Sequence, residues 1–260
     1  MIKLIASDID GTLLPEGTNK FNPELFKTIL KLKEKGIYFV AASGRSFASM
    51  LHIFKEIQND IIFISGNGGY IHCKGYDVLE ITLEQEVLLE LLEDLRLIPQ
   101  ISIVADTKKE VFIENNNDEL KHLLEIGYGN QVSIVNDISE IGNKIIKISI
   151  YNKNGIEDLT YLIPQWESKL HGTISGKTWI DFMHPTTNKG YALKNIQKSL
   201  GISPEETMAF GDNCNDLEML ANATESYAVG NAREEVKQAA KYITDTNVND
   251  GVLKVLKTLL

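Results

Sequence analysis

Cationic side chains, cysteines, prolines and long apolar runs are all scarce in this 260-residue chain. Lysine and arginine total 26 against 36 aspartates and glutamates, a formal net charge of −10. Such a balance, with a sequence pI near 5.1, repels nucleic acid and anionic membrane surfaces. It admits an anionic small molecule only where a local site supplies cations. The two cysteines, Cys73 and Cys214, form no CxxC pair, so free thiols in a reducing compartment are expected and no thiolate metal cluster is suggested. Asp8 and Asp10 interrupt the first apolar run, so the N-terminal segment is not expected to be a leader of secretory type. No apolar stretch approaches the roughly 20 residues that cross a bilayer. The expectation is a cytoplasmic protein that is monomeric and contacts neither membrane nor nucleic acid. Six prolines, 43% hydrophobic and 24% charged residues argue against disorder.

Apolar segments alternate with helical patterns over the first eighty residues. KLIAS, IYFVAAS at 37–43 and IIFIS at 61–65 are continuous apolar strands. A helix is predicted from Asn22-Pro23 through Lys35, with Leu25, Phe26, Ile29, Leu30 and Leu32 as its apolar face and Gly36 as its stop. A second helix is predicted over 46–57. The same style returns late in the chain: a helix over 189–200 ended by Gly201, strands TMAFGD and SYAVG, a helix over 232–240 capped by Asn231, and a last helix over 250–259. Buried strands alternating with helices predict an α/β fold with a doubly wound parallel sheet. The middle differs. From 82 to 184 the strands ISIVA, EVFIE, KIIKISIY and TWIDFMH are shorter and more polar, with helices at EQEVLLELLEDLRLI and near 155–168. This predicts a mostly antiparallel α+β unit, 82–184, inserted into a core formed by 1–81 and 185–260.

The first strand runs from burial into two like charges, Asp8 and Asp10. On an extended chain they face the same way about 6.6 Å apart. At an effective dielectric near 20 their repulsion is about 2.5 kcal/mol. A shared proton, a basic side chain or a cation must offset it. Two other strands bring polar clusters to the same edge, where open parallel sheets bind ligands. Ser43-Gly44-Arg45 follows the second, with a hydroxyl and backbone N–H groups suited to an anion. Gly211-Asp212-Asn213-Cys214-Asn215-Asp216 ends TMAF. Asp8, Asp10, Asp212 and Asp216 on one edge require a cation, and oxygen donors without a His or Cys cluster favour a hard divalent ion. Lys189, opening the helix before TMAF, is the best-placed lysine to reach that edge.

DIDGT, the serine of AASGR, the lysine of NKGYAL and GDNCND, in that order, resemble the sequence motifs of the haloacid dehalogenase superfamily. The long insertion, SGNGGYI at 65–71 and NDGVLKVL resemble its Cof-type subfamily of sugar-phosphate phosphatases, whose cap is of type IIB. The resemblance implies a Rossmann-like core with an inserted cap, and Mg²⁺-dependent hydrolysis of small phosphorylated metabolites through an aspartyl-phosphate. Asp8 would be the nucleophile and Asp10 the acid and base. Mg²⁺ would sit on the Asp8 carboxylate, the Asp10 carbonyl and Asp212. Ser43, Gly44, Lys189 and Asn215 would hold phosphoryl oxygens, with Asp216 and Thr12 in support, Asp216 orienting Lys189 or a metal-bound water. A phosphomutase of the same superfamily and a non-catalytic phosphometabolite sensor are the alternatives. Arg45 is open between a substrate contact and a local ion pair. Cys214 reads as a neutral position in the acidic loop. Among the histidines, His184 at the cap junction is the one to watch.

Overall fold

The structure is a computed structural model and describes residues 1–15, 18–142 and 144–260. In chain order the first elements are β1 (Leu4–Asp8), α1 (Pro23–Glu34), β2 (Tyr38–Ala42), α2 (Phe47–Ile53), β3 (Ile62–Ser65), β4 (Tyr70–Cys73) and β5 (Tyr76–Glu80). Then come α3 (Gln85–Arg96), β6 (Ser102–Asp106), β7 (Val111–Glu114), α4 (Asp118–His122), β8 (Val132–Val135), β9 (Lys147–Tyr151), α5 (Leu162–Trp166), β10 (His171–Gly176) and β11 (Trp179–Met183). The chain closes with α6 (Lys189–Leu200), β12 (Thr207–Gly211), α7 (Leu217–Ala221), β13 (Glu225–Ala228), α8 (Glu234–Ala239), β14 (Tyr242–Ile243) and α9 (Gly251–Lys257).

Two sheets form. The larger has the order β14-β13-β12-β1-β2-β3-β4-β5. It is parallel from β14 to β3 and antiparallel across β3, β4 and β5. Strand β1 lies at its centre, with Ala6 opposite both Val40 and Ala209. Every residue of β1 is buried, as a strand covered on both faces must be. Asn22 caps α1 by accepting from the Glu24 N–H, and Pro23 takes the first turn. Leu25, Thr28, Ile29 and Leu32 form the buried stripe of α1 at helical spacing, with Phe26 and Leu30 half-buried beside it.

The smaller sheet has the order β10-β11-β9-β6-β7-β8 and is antiparallel except for the β7–β8 pair. Period-2 alternation gives its faces different chemistry. Ile103, Ile148, Ile150, Ile180 and Phe182 pack with Leu88, Leu91 and Leu92 of α3 and Trp166 of α5. The other face carries Val104, Asp106, Lys147, Ser149, Trp179 and Asp181. The register sets Asp106 opposite Lys147, and Ser149 opposite both Val104 and Asp181.

The architecture is the expected α/β fold, a doubly wound core sheet with an inserted α+β cap, but several elements differ. SGNGGYI leads into the β4–β5 hairpin, which extends the larger sheet with antiparallel strands. Strands β8 and β10 were not expected. The first is a half-exposed edge, and the second, HGTISG, is diluted by two glycines. The region near 155–168 holds only a short 3₁₀ turn and α5. The helix expected over 46–57 spans Phe47–Ile53, and that over 250–259 spans Gly251–Lys257. Asn231 does not cap α8, which is preceded by Arg233. Its amide instead donates to the Gly11 carbonyl and accepts from the Asn247 N–H, tying the loop after β1 to the C-terminal segment. No helix among the described residues is long and apolar enough to cross a membrane.

Candidate active site

The C-terminal ends of β1, β2 and β12 meet at one edge of the larger sheet, because these strands are adjacent and parallel. Asp8 is the last residue of β1. The chain then turns back: the Leu13 and Leu14 N–H groups donate to the Ile9 carbonyl, and Gly11 adopts φ +86°. The turn separates the two aspartates. Asp8 points into the buried edge and Asp10 points to Arg45.

Lys189 opens α6 and is fully buried. Its Nζ lies 2.6 Å from Asp8 Oδ1 and 2.7 Å from Asp216 Oδ1. Burial opposes its charge, and Asp216 and Asp8 outweigh that, holding its pKa above the ordinary lysine value. The other oxygen of Asp216 accepts from the Asp212 and Asn213 N–H groups at 2.9 and 3.1 Å. Asp212 Oδ1 accepts from the Thr12 hydroxyl at 2.7 Å. Carboxylate oxygens of Asp8, Asp212 and Asp216 lie within 4.8 Å of one another. Three carboxylates thus share one lysine. Burial, then the nearby Asp216, raise the pKa of Asp8 well above the usual carboxylate range. The same causes push Asp212 up to about 7.

The donor set fits a hard divalent cation. Asp8 Oδ2 is buried, and no N–H or O–H of the described residues reaches it. Both oxygens of Asp216 are already bonded and one of Asp212 is bonded to Thr12, which leaves Asp8 Oδ2 and Asp212 Oδ2 as the oxygens open to an ion.

Ser43 and Gly44 stand beside this edge, after β2. The Ser43 hydroxyl accepts from the Arg45 N–H at 3.1 Å, while Ser46 caps α2. Arg45 is an ion-pair residue here: Nε and Nη2 reach the two Asp10 oxygens at 2.7 and 2.6 Å, and the guanidinium lies 5.1 Å over the Tyr128 ring. Cys214 is a half-buried free thiol whose pKa burial raises. His184 pairs with Thr186 at 3.0 Å on the exposed side of its turn.

Between the two sheets lies an open cavity with about 750 Å³ of empty space, part of it continuous with solvent. Asp8, Asp10, Ser43, Gly44 and Asn215 line its floor, with Asp106, Lys147, Ser149, Trp179 and Asp181 as its roof. Lys189 lies beneath the floor. The roof is bonded to the floor. Lys147 Nζ donates to the Gly44 carbonyl at 2.7 Å and lies 3.1 Å from both Asp106 and Asp181. Burial opposes the Lys147 charge, but Asp106 and Asp181 hold its pKa above the ordinary value. Asn67 joins the two sides, giving to Asp181 at 2.7 Å and accepting from Asn215 at 2.9 Å. Ser46 bonds Asn130, and the Ser49 hydroxyl bonds the Tyr128 carbonyl.

The sequence reading did not name Asn67, Asp106, Lys147 or Asp181. A signal existed for Lys147 and Asp181: in KISIY, Lys147 and Ser149 alternate with Ile148 and Ile150, and in WIDFM, Asp181 stands between Ile180 and Phe182. What one sequence did not supply was the register that stacks them.

Fold and site together describe a small-molecule hydrolase with a metal-competent acidic edge under an inserted roof. The profile of the haloacid dehalogenase-like hydrolases matches residues 5–256, and the chain belongs to that family. It is 34% identical over 269 residues to 5-amino-6-(5-phospho-D-ribitylamino)uracil phosphatase YbjI of Escherichia coli (strain K12), covering 100% of this chain and 96% of that protein. It is 31% identical over 260 residues to 5-amino-6-(5-phospho-D-ribitylamino)uracil phosphatase YcsE of Bacillus subtilis (strain 168), covering 98% and 95%. A haloacid dehalogenase-like hydrolase from B. subtilis superposes with a TM-score of 0.90 at 27% identity, over 100% of both chains. The chain is accordingly a phosphatase acting on a phosphorylated small molecule.

Proposed function

We propose that the chain is a Mg²⁺-dependent phosphatase of sugar and polyol monophosphates that works through an aspartyl-phosphate on Asp8. The observation that carries this reading is the meeting of Asp8, Lys189, Asp212 and Asp216 at and beneath the floor of the cavity between the two sheets. Asp8 and Asp212, with the Asp10 carbonyl, would hold the ion. When bound, the ion supplies positive charge that lets a carboxylate approach a phosphate dianion.

The chain's own groups do the rest. Asp8 attacks phosphorus, and the bond from phosphorus to the ester oxygen breaks. Asp10 gives its proton to the departing alkoxide, then takes one from the water that attacks the aspartyl-phosphate, releasing inorganic phosphate and restoring Asp8. Arg45 occupies both Asp10 oxygens in this structure, so proton transfer requires that fork to open. Ser43, the Gly44 N–H, Asn215 and the Lys189 ammonium hold phosphoryl oxygens. Asp216 keeps Lys189 in place, and Thr12 keeps Asp212 in place. The roof excludes water and bears on the leaving group.

The test is turnover of p-nitrophenyl phosphate with Mg²⁺, followed by a panel of phosphorylated sugars and polyols ranked by kcat/KM. The panel includes 5-amino-6-(5-phospho-D-ribitylamino)uracil, the compound in the names of the two relatives. Turnover abolished by EDTA and by Asp8→Asn is expected. Turnover that survives Asp8→Asn would sink the aspartyl-phosphate route. Labelled phosphate returned to a sugar would point to a mutase instead.

A further inference from the structure

We propose that Asp181 is a positioning residue for phosphate binding: from the roof it fixes, through the buried Asn67, which way the Asn215 amide faces. The inference rests on the reading above that Asn215 holds a phosphoryl oxygen. Asn67 lies in the turn between β3 and β4, buried, with φ +53°. Its N–H donates to the Ser43 carbonyl at 3.0 Å, so its backbone is anchored beside the phosphate site. A side-chain amide is nearly symmetric in shape, and packing alone does not choose which end faces where. Here chemistry chooses. A carboxylate only accepts, so the Asn67 end lying 2.7 Å from Asp181 Oδ2 must be the nitrogen. The oxygen end then turns to Asn215 and needs a donor, which Asn215 Nδ2 supplies at 2.9 Å. Asn215 lines the cavity, so the second hydrogen of that nitrogen is the one left for a phosphoryl oxygen.

Asp181 is itself pinned. It accepts from Ser149 at 2.6 Å, from Ser175 at 2.5 Å and from Lys147 at 3.1 Å. Its bond to Asn67 therefore persists without a local rearrangement. Asp181 belongs to β11 of the smaller sheet, whereas Asn67 and Asn215 sit at the edge of the larger one. The relay from carboxylate to amide to amide crosses the cleft. A phosphate-binding donor is thereby set only when the roof is seated. If these bonds were merely adhesive, changing Asp181 would act independently of Asn215.

A double-mutant cycle separates the two accounts. The readout is the Ki of inorganic phosphate as a competitive inhibitor, with Mg²⁺ present, alongside KM and kcat. Asp181→Ala removes the acceptor that selects the Asn67 nitrogen, which allows both amides to reverse. Asp181→Asn serves as the control: Lys147 donates to the same oxygen as Asn67, so the new amide keeps its oxygen there and the relay intact. Asp181→Ala and Asn215→Ala are each expected to raise Ki about tenfold. The double variant is expected to stay within about twofold of Asn215→Ala alone. Additive losses, or an unchanged Ki in Asp181→Ala, would overturn the relay. An unchanged Ki in Asn215→Ala would remove the phosphate role of Asn215, and the relay with it. Should Asp181→Ala not fold, Asn67→Ala in a cycle with Asn215→Ala reads the same relay, with the same non-additivity expected.

Discussion

Arg45 closes a two-pronged ion pair on Asp10, with Nε 2.7 Å from Oδ2 and Nη2 2.6 Å from Oδ1. The arginine side chain is 4% exposed and the aspartate side chain 22%. Truncating one partner of a buried pair costs about 3–5 kcal/mol, and the exposure of Asp10 lowers that. Arg45→Ala is therefore expected to lose about 2–3 kcal/mol in urea unfolding. Arg45→Lys keeps the charge and loses the planar fork, so it should unfold closer to wild type. If opening the fork gates proton transfer, Arg45→Lys will change kcat more than KM. A change confined to KM would assign Arg45 to substrate binding alone.

Lys189 offers a sharper case, because it, Asp8 and Asp216 are all buried. Lys189→Met would leave three carboxylates at one edge without their cation. A loss of about 3–5 kcal/mol is expected. Adding Asp216→Asn should recover part of it by removing one charge. Millimolar Mg²⁺ should also recover part, by supplying a cation. Calorimetry of the three proteins with and without Mg²⁺ checks both; a Lys189→Met protein as stable as wild type would show that the lysine carries no electrostatic weight.

The pH dependence follows from Asp212, whose pKa stands at about 7 against an ordinary 3.8. Without metal, the folded protein holds that proton up to near neutrality, whereas the unfolded chain releases it near pH 4. The folded state binds more protons across that window, so this contribution to stability is full below about pH 4 and is lost as pH rises through about 7. In EDTA, wild type should therefore lose stability relative to Asp212→Asn between pH 5 and 8. His171, whose pKa burial lowers, titrates in both proteins and cancels in the difference. With saturating Mg²⁺ the difference should reverse, because ionised Asp212 then has a partner. Urea midpoints at both pH values give the answer.

The parts legible in the sequence were those written in local chemistry. An apolar strand ending in carboxylates, the Asn22-Pro23 helix start and the Gly201 stop each announce themselves within a few residues, and the structure keeps them. Asp8, Lys189, Asp212 and Asp216 could be placed at one edge because parallel strands present their C-terminal ends together. The rest depends on register and on turns. That Asp10 faces Arg45 while Asp8 faces Lys189 follows from the tight fold-back at Gly11, which an extended-strand picture of the two aspartates misses. Lys147, Asp106 and Asp181 come from three strands distributed over about eighty residues, so only the pairing of β6, β9 and β11 makes them a cluster. Asn67 reads as a turn residue, and its link to Asn215 crosses 148 positions.

That fold-back yields the last prediction. Gly11 has φ +86°, where an L side chain is strained, and a Cβ built there would lie 2.3 Å from Asp212 Oδ2. The oxygen in its way is one of the two we assign to the cation. Asp212 cannot retreat freely, because Thr12 holds its other oxygen at 2.7 Å. Gly11→Ala therefore has two separable costs. The backbone strain should appear as about 1–2 kcal/mol of lost stability, with or without metal. The displaced carboxylate should appear as Mg²⁺ affinity weakened by about tenfold, the order of a lost supporting contact at a metal site. Isothermal titration with Mg²⁺ reads the second cost directly, and Thr12→Ala provides the contrast: it frees Asp212 without straining the turn. A Gly11→Ala protein that is destabilised but binds Mg²⁺ as wild type does would show that Asp212 Oδ2 is not a ligand atom.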